Sequence, residues 1–541
     1  MRNFIIYLAC AAVFLALQMF QGFSYLDIGM YLSGSEWLSD SPFTMYFLCN
    51  WLMSFRVNTF LMNIFSADSF FALRIIHLIY ILCLQTAIFL YCRRYISERM
   101  ILLGLALATL SHYGAYTEMN YNDYTVGLLT VAVIMYHMAV ERKSNMFLAA
   151  SGLVVAVSFF FRIVNLSFIL LPLWYGAYAL YAKSAGIRQI AGQCLWFATG
   201  VIVGLALMLC LVYADGMWQP FSLLLGDILG VCGNSSDPHS LYNITVAFFF
   251  LHRGEVESLS VVILLFLAMS WINTRYASRM KWLVIVGLGL VMAYNLNFAV
   301  PPSDYTVGLC IVALLLVLTV SCAPEAVKRL YVLSFFIPFL MPLGSNAGAE
   351  FFGKDLCFFT LPIALYVINI WTIGHKGCRV PAMICYAAMC LGFLYVNVMR
   401  PMMEETNRIG CRYAIDSPKA EHIYTGRDNA ELHNKLIREL KPLVEDGSYM
   451  YCDFSLAAVP LLDCKPYAVF STVFTSDAMN RRYIDVAFDN TDKLPLMLLT
   501  KDNDDPKVEY VVEYLKQKSP YTVSWQDDTH ILLTPIKYPC R

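Results

Sequence analysis

Residues 100–140 read MILLGLALATLSHYGAYTEMNYNDYTVGLLTVAVIMYHMAV, two apolar runs (100–116 and 124–140) flanking Glu118-Met119-Asn120-Tyr121-Asn122-Asp123-Tyr124. Each run approaches the ~20 residues a helix needs to cross a hydrocarbon layer of ~30 Å. The connection is short, so the stretch folds back as a helical hairpin with both acids at its tip. Its open ends carry the opposite charge: Arg93, Arg94 and Arg99 precede it, and Arg142 and Lys143 follow it. Lys and Arg collect on the cytoplasmic side of membrane helices. The tip bearing Glu118 and Asp123 therefore faces outward.

The same reading extends along the chain. Apolar stretches at 4–23, 69–91, 100–116, 124–140, 145–161, 163–181, 194–213, 258–273, 282–299, 305–322, 329–343, 356–373 and 380–398 make about 13 transmembrane helices. Threaded from a cytoplasmic amino terminus, they put fifteen Lys and Arg inside and five outside: Arg56, Arg74, Arg162, Arg253 and Lys354. The acids run the other way, with Glu98, Glu141 and Glu325 inside and fourteen outside. Residues 1–23 also read as a signal peptide with a long apolar core, and the segment after them begins outside in either case. An odd number of spans leaves the carboxy-terminal part extracytoplasmic.

Composition agrees. Hydrophobic residues make up 59% and charged residues 14%, against about 25% charged in soluble domains, and mean hydropathy is +0.59. A soluble globule, a disordered chain and a nucleic-acid binder are excluded, while a net charge of −1 says nothing of partners. Residues 1–400 hold 38 charged side chains and residues 401–541 hold 39. Two domains follow: a membrane part, 1–400, and a soluble part, 401–541. The latter alternates a helical pattern at 428–445, strand patterns at 448–452, 467–472, 495–500, 521–525 and 529–534, and a helical pattern at 506–517, which is an α/β domain. Most of the 17 cysteines sit in apolar runs as small hydrophobes; Cys411, Cys452, Cys464 and Cys540 lie in the tail, where a disulfide is allowed but not required. No phosphate-binding glycine loop of the GxxxxGK[ST] type occurs.

Polar groups at the edges of apolar spans are costly and become functional candidates. Asp27, just after the first span, can act as a base toward a hydroxyl at the membrane surface, or merely end a helix. Residues 24–68 around it predict a short helix lying along the membrane. Glu118 and Asp123, with Asn120, bring carboxylates and amides to the same face. They suit acceptor positioning or oxygen ligation of a divalent cation such as Mg or Mn, or they cap helices. Arg162 interrupts an apolar run, where its guanidinium calls for an anion, a phosphate or a protein carboxylate. His252, Arg253 and Lys354 add outer cations suited to a lipid phosphate, or to headgroup snorkelling. Asn346, in the turn Pro342–Glu350, offers an amide to a sugar hydroxyl or phosphate oxygen. Arg74 and His77, one turn apart, read as a packed pair.

Taken together, these residues resemble the GT-C type membrane glycosyltransferases, the class of protein O-mannosyltransferases, aminoarabinose transferases and oligosaccharyltransferase catalytic subunits. The likeness lies in about thirteen spans, an acid in the first outer loop (Tyr25-Leu26-Asp27-Ile28-Gly29), further acids in the second (Glu118, Asp123) and an outer carboxy-terminal domain. Unlike many such enzymes, this chain follows Asp27 with Ile28, and the next acid is Glu36. The resemblance implies a sugar donor carried on a polyprenyl phosphate or diphosphate. The expected activity is inverting transfer to a hydroxyl of a glycan, lipid or protein, with Asp27, Glu118 and Asp123 catalytic. Asn120, Arg162, His252, Arg253, Asn346 and Lys354 would bind substrate, and the expected place is a bacterial inner membrane. A lipid-linked glycan polymerase or ligase and a transporter or flippase are the alternatives; transporters favour midplane ionisable groups and repeated halves, whereas the polar groups here sit at outer ends.

Overall fold

The computed structural model describes residues 1–24, 27–111, 117–232, 240, 242–246, 253–276, 280–298, 302–320, 323–341, 343, 349–375, 377–399, 404, 406–468, 477–491, 493–501 and 503–536; at 27, 231–232, 253–259, 294–298, 302–304, 349–356 and 477–479 it describes the backbone alone. The α-helices before residue 400 include, among the described residues, α1 (Arg2–Met19), α2 (Asp27–Trp37), α3 (Leu52–Phe65), α4 (Phe70–Cys92), α5 (Glu98–Ser111), α6 (Tyr121–Arg142), α7 (Asn145–Phe159), α8 (Leu171–Tyr181), α9 (Ile187–Ala214), α10 (Trp218–Cys232), α11 (Arg253–Arg275), α12 (Met280–Phe298), α13 (Pro302–Thr319), α14 (Glu325–Leu340), α15 (Ala349–Gly374) and α16 (Arg379–Met399). Local chemistry sets several starts. Ser69 caps α4 by accepting from the Ala72 amide at 3.2 Å, and Asn120 with Asp123 forms a reciprocal capping box on α6.

Among the described residues, seven helices are long and apolar enough to cross a membrane, and four more apolar helices are shorter. The chain is a polytopic helical membrane protein. The thirteen stretches expected from sequence exceed this number because helices such as α5 and α14, of 14 and 16 residues, fall below the length a lone span needs. Their neighbours enclose them instead: most of α14 is buried.

Helix ends gather at two poles. At one, the amino terminus pairs with Glu98 at 3.3 Å, Arg329 with Glu141 at 3.1 Å, and the Tyr178 hydroxyl donates to Glu325 at 3.2 Å. At the other, Gln18 donates to Asn397 at 2.7 Å, Asn397 to the Leu110 carbonyl at 3.0 Å, and Arg162 to the Met341 carbonyl at 2.8 Å. The sequence-expected inner and outer ends thus fall at opposite poles of the bundle.

The carboxy-terminal region adds α17 (Arg427–Leu440), α18 (Ala458–Leu461), α19 (Asp477–Thr491) and α20 (Pro506–Lys518). A small hairpin pairs β1 (Tyr413–Ala414) with β2 (Tyr424–Thr425). The main sheet runs β4 (Lys465–Pro466), β3 (Tyr449–Cys452), β5 (Leu496–Thr500), β7 (His530–Pro535), β6 (Tyr521–Gln526), parallel across β4-β3-β5 and antiparallel beyond. Of the expected strand at 467–472, Tyr467 still donates its amide to the Met450 carbonyl of β3 at 3.1 Å, continuing β4, while Ala468 turns away and its amide donates to the Thr44 carbonyl at 3.0 Å; 469–472 lie outside the described residues. The helix α19 has no counterpart in the sequence reading. Cys411, Cys452 and Cys464 are buried, free thiols.

One hydrophobic core joins this region to the first outer loop, uniting Phe23, Ile28, Tyr31 and Tyr46 with Tyr451, Ala457, Leu461 and Tyr483. The helix expected to lie along the membrane is therefore corrected: Ile28, Met30, Tyr31 and Leu32 are at most 3% exposed, so α2 is sandwiched between the bundle and the α/β region. Its apolar face finds protein rather than lipid.

Within the α/β region, His433 on α17 is fully buried, donating from Nδ1 to the Asn429 carbonyl at 2.8 Å and accepting at Nε2 from Ser455 at 3.1 Å. Burial disfavours the charged imidazole and pulls its pKa from 6.5 to about 4. The unfolded chain takes up the proton first as pH falls through 6.5, so this site's stability is level above that pH and is lost between 6.5 and 4, by roughly 3 kcal/mol. Hydrogen exchange of 427–461 in the intact protein should show that slope, and His433→Gln should remove it; an equal slope in the variant would contradict this account.

Candidate functional site

The acidic loop that leads into α6 is held by two basic residues on the first turns of α4. Arg74, 1% exposed, donates from Nε to Glu118 Oε1 at 2.7 Å, and its Nη2 lies 2.6 Å from the same oxygen. Nη1 and Nη2 also reach the carbonyls of Met19 and Gly22, each at 2.6 Å. One guanidinium thereby ties together the end of α1, the start of α4 and the second loop. His77, one turn on, donates from Nδ1 to Asp123 Oδ2 at 3.1 Å; the carboxylate, an acceptor only, fixes the proton on that nitrogen. Asp123 Oδ2 also accepts the Asn120 amide at 3.0 Å, and the Tyr80 hydroxyl donates to the Asp123 carbonyl. Arg74 and His77, read from sequence as a packed pair, each take one carboxylate of the loop that precedes α6.

Other elements close on the same place. Asn58 of α3 donates to the Met119 carbonyl at 3.1 Å and accepts from the Tyr124 hydroxyl at 2.7 Å. The turn after α7 packs alongside, with Phe161 5.1 Å from Tyr124 and Asn165 donating to Thr125 at 3.0 Å. Arg162 sits in that turn, 5% exposed, with Tyr121 among its electrostatic neighbours. From the first outer loop, Tyr31 meets Tyr121 edge-on at 6.0 Å. Asp27 opens the same helix, one turn (about 5.4 Å of rise) before Tyr31. Gly29 lies between them against the α/β region: a Cβ there would overlap the Leu456 carbonyl and the Ala457 nitrogen.

Of the residues expected from sequence, Glu118, Asn120, Asp123 and Arg162 are thus found buried around the amino terminus of α6. The side chains of Asp27, Arg253 and Lys354, and all of His252 and Asn346, lie outside the described residues. Sequence reasoning underrated Arg74 and His77. The available signal was two basic residues three apart at an outer helix end, facing two acids five apart in the following outer loop.

One oxygen of each described loop acid is already engaged by protein. Glu118 Oε1 is taken by Arg74, and Asp123 Oδ2 by an amide and an imidazole N–H; among the described residues no three His, Cys, Asp or Glu gather as a ligand set. Glu118 is matched to the Arg74 guanidinium, which offsets the desolvation of burying it, and Asp123 is held by the Asn120 amide and the His77 ring. What remains chemically is a positioned Asp–His pair beside a buried guanidinium at one pole of the bundle.

No family model matches the chain, and no curated protein matches it by sequence. Solved structures resemble it in overall shape. An Archaeoglobus fulgidus oligosaccharyltransferase, in complex with Zn and sulfate, is 11% identical over 91% of this chain and 68% of its own, with a TM-score of 0.48. ArnT from Cupriavidus metallidurans, bound to undecaprenyl phosphate, is 11% identical over 98% of both chains, at 0.44. A. fulgidus AglB, in complex with an inhibitory peptide and a dolichol-phosphate, is 10% identical over 94% of this chain and 71% of its own, at 0.45. These structural neighbours are GT-C superfamily membrane glycosyltransferases. The reading below rests on the residues of the site.

Proposed function

We propose that the chain is a membrane glycosyltransferase that moves a sugar from a polyprenyl-phosphate-linked donor to an acceptor hydroxyl at the extracytoplasmic face. In this reading residues 1–400 form the catalytic membrane part, 401–541 an outer α/β domain, and the membrane is a bacterial inner membrane. The observation that carries it is the approach, at one pole, of α2 through Tyr31 to Tyr121, which lies beside the Asp123–His77 pair and among the electrostatic neighbours of Arg162.

The acceptor oxygen attacks the anomeric carbon; the C–O bond to phosphate breaks and its electron pair leaves with the phosphate, inverting the centre. The acceptor proton passes to the carboxylate of Asp27. Asp123 holds the His77 imidazole and, with it, the local hydrogen-bond frame. Arg162, with Arg253 and Lys354, stabilises charge developing on the phosphate, and a phosphate leaving group departs without needing a proton. Glu118 keeps its place as the counter-ion of Arg74, which builds the loop rather than reacting. His252, Asn120 and Asn346 complete the contacts to donor and acceptor.

The test is transfer from radiolabelled polyprenyl-phosphate-linked hexoses by protein purified into nanodiscs. Asp27→Asn should lower kcat by about 10²–10⁴-fold, the range for loss of a general base. Undiminished transfer by that variant would remove the assignment of the base. Absence of transfer by the unaltered protein, with lipid translocated across the nanodisc instead, would favour the flippase reading.

A further inference from the structure

The lipid-facing surface of the bundle continues past the ends of its helices. Along α1 and the residue after it, Ile6, Val13, Leu17 and Phe20 are exposed, and steps of seven, four and three residues put them on one face; Phe4, Leu15 and Gln18, on the opposite face, are buried. On α4 the exposed residues Ile79, Cys83 and Leu90 share a face, as do Met383, Leu391 and Tyr395 on α16. All three helices are long and apolar enough to span a membrane, so these stripes face hydrocarbon.

One stretch of the α/β region, 408–424, bridges the ends of the three helices. Arg408 donates from Nε to the Asn397 carbonyl of α16 at 2.6 Å. The Tyr424 amide donates to the Phe20 carbonyl and the Gly22 amide to the Tyr424 carbonyl, each at 2.8 Å. The Phe20 ring meets Phe71, in the first turn of α4, at 5.2 Å, and Phe71 meets the His422 ring edge-on at 5.4 Å. The stretch has two sides. Ile415, Ala420 and Ile423 are buried in the core that also encloses α2, and Lys419 pairs with Glu36 of α2. Ile409 and Tyr424, by contrast, are 58% and 41% exposed, and the His422 side chain is 59% exposed. His422 holds a left-handed backbone, φ +68°, which a residue with a side chain rarely adopts. Half of the large apolar side chains left exposed among the described residues after 400 fall in this stretch: Ile409, Tyr413 and Tyr424, against Leu443, Val523 and Ile536.

The adjoining surface identifies what covers them. Phe20 ends the α1 stripe and reaches His422 through Phe71, so the outer side of the stretch prolongs a surface already in hydrocarbon, at the level where the helices emerge. Tyr, with an apolar ring and a polar tip, is enriched at that boundary. The exposed charges nearby, Arg412, Asp416 and Glu421, are of both signs, which gives no single-sign field to draw a charged macromolecule. We infer that Ile409, His422 and Tyr424 form a foot by which the α/β region rests in the headgroup layer of the bilayer, the partner being phospholipid. Through Lys419 and Glu36 the same stretch holds α2, so the foot ties the height of that helix to the membrane surface. The contact is independent of the transfer reaction proposed above and stands or falls without it.

Full-length protein carrying photoreactive p-benzoylphenylalanine in place of Tyr424, of Ile409 or, as a control on the edge strand β6, of Val523 is reconstituted into liposomes of phosphatidylethanolamine and phosphatidylglycerol, irradiated and analysed by peptide mass spectrometry. Phospholipid adducts at 424 and 409 should exceed those at 523 at least tenfold. Should the probe at 424 prevent a cooperative melt, the comparison of 409 with 523 decides. Equal adducts at all positions, no phospholipid adduct at 409 and 424, or adducts there to a second copy of the chain would overturn the foot.

Discussion

Arg74→Ala is expected to lower stability by about 3–5 kcal/mol, the cost of leaving a buried carboxylate without its counter-charge. Both partners are enclosed, with side chains 2% exposed, so water does not replace the guanidinium. The substitution also frees the carbonyls of Met19 and Gly22, which lose charged donors at 2.6 Å. Arg74→Lys should recover only part of the loss, because one ammonium cannot present the planar fork that meets a carboxylate and two carbonyls together. Removing both charges in Arg74→Met with Glu118→Gln should cost less than the two single changes summed, since neither is then left as a buried orphan. Thermal melts of the detergent-purified variants measure this. A single Arg74→Ala variant melting with the unaltered protein would show that the clamp does not hold the loop.

The second large effect is expected at Gly29. Gly29→Val places a β-branched side chain against backbone rather than against a side chain that can swing away, since the obstructing atoms are the Leu456 carbonyl and the Ala457 amide. Either α2 or the segment leading into α18 must move. Overpacking of this kind costs about 1–3 kcal/mol, but the greater consequence is for Asp27, two residues away in the first turn of the same helix. A displacement of ~1 Å in a reacting group can cost ~100-fold in rate. The expected result is a fall in kcat of about 100-fold for Gly29→Val, a smaller fall for Gly29→Ala, and a donor KM that moves much less than kcat, with a cooperative melt retained. Equal kcat across the three proteins would show that the α/β region does not set the position of α2.

Much of the architecture is legible in the chain. Apolar runs with basic residues on alternate connections specify which helix ends share a pole, and Arg93, Arg142 and Arg329 cluster near one end while Asn397, Arg162 and Arg74 cluster near the other. The tail is legible too: the patterns at 428–445, 448–452, 495–500, 506–517, 521–525 and 529–534 all meet elements of the matching type. The site is legible only in part. Asn120 and Asp123 are three residues apart, so their capping box is a local arrangement that spacing can foretell. The partners of the loop acids are not local. Arg74 lies 44 residues before Glu118 and His77 lies 46 before Asp123, and nothing in the sequence says which outer-end base meets which outer-end acid.

Hydropathy and charge thus determined, from the chain alone, that this is a many-helix membrane protein with a polar α/β tail. Both are properties summed over stretches of residues, and they act through solvent partition rather than through particular contacts. Tertiary structure alone decided that α2 is enclosed rather than laid on the membrane, that Gly29 abuts the backbone of Leu456 and Ala457, and that Glu118 is neutralised while Asp123 orients an imidazole. Those outcomes depend on close approach between segments separated by tens to hundreds of residues. A shift of an ångström would undo them, and composition does not register it.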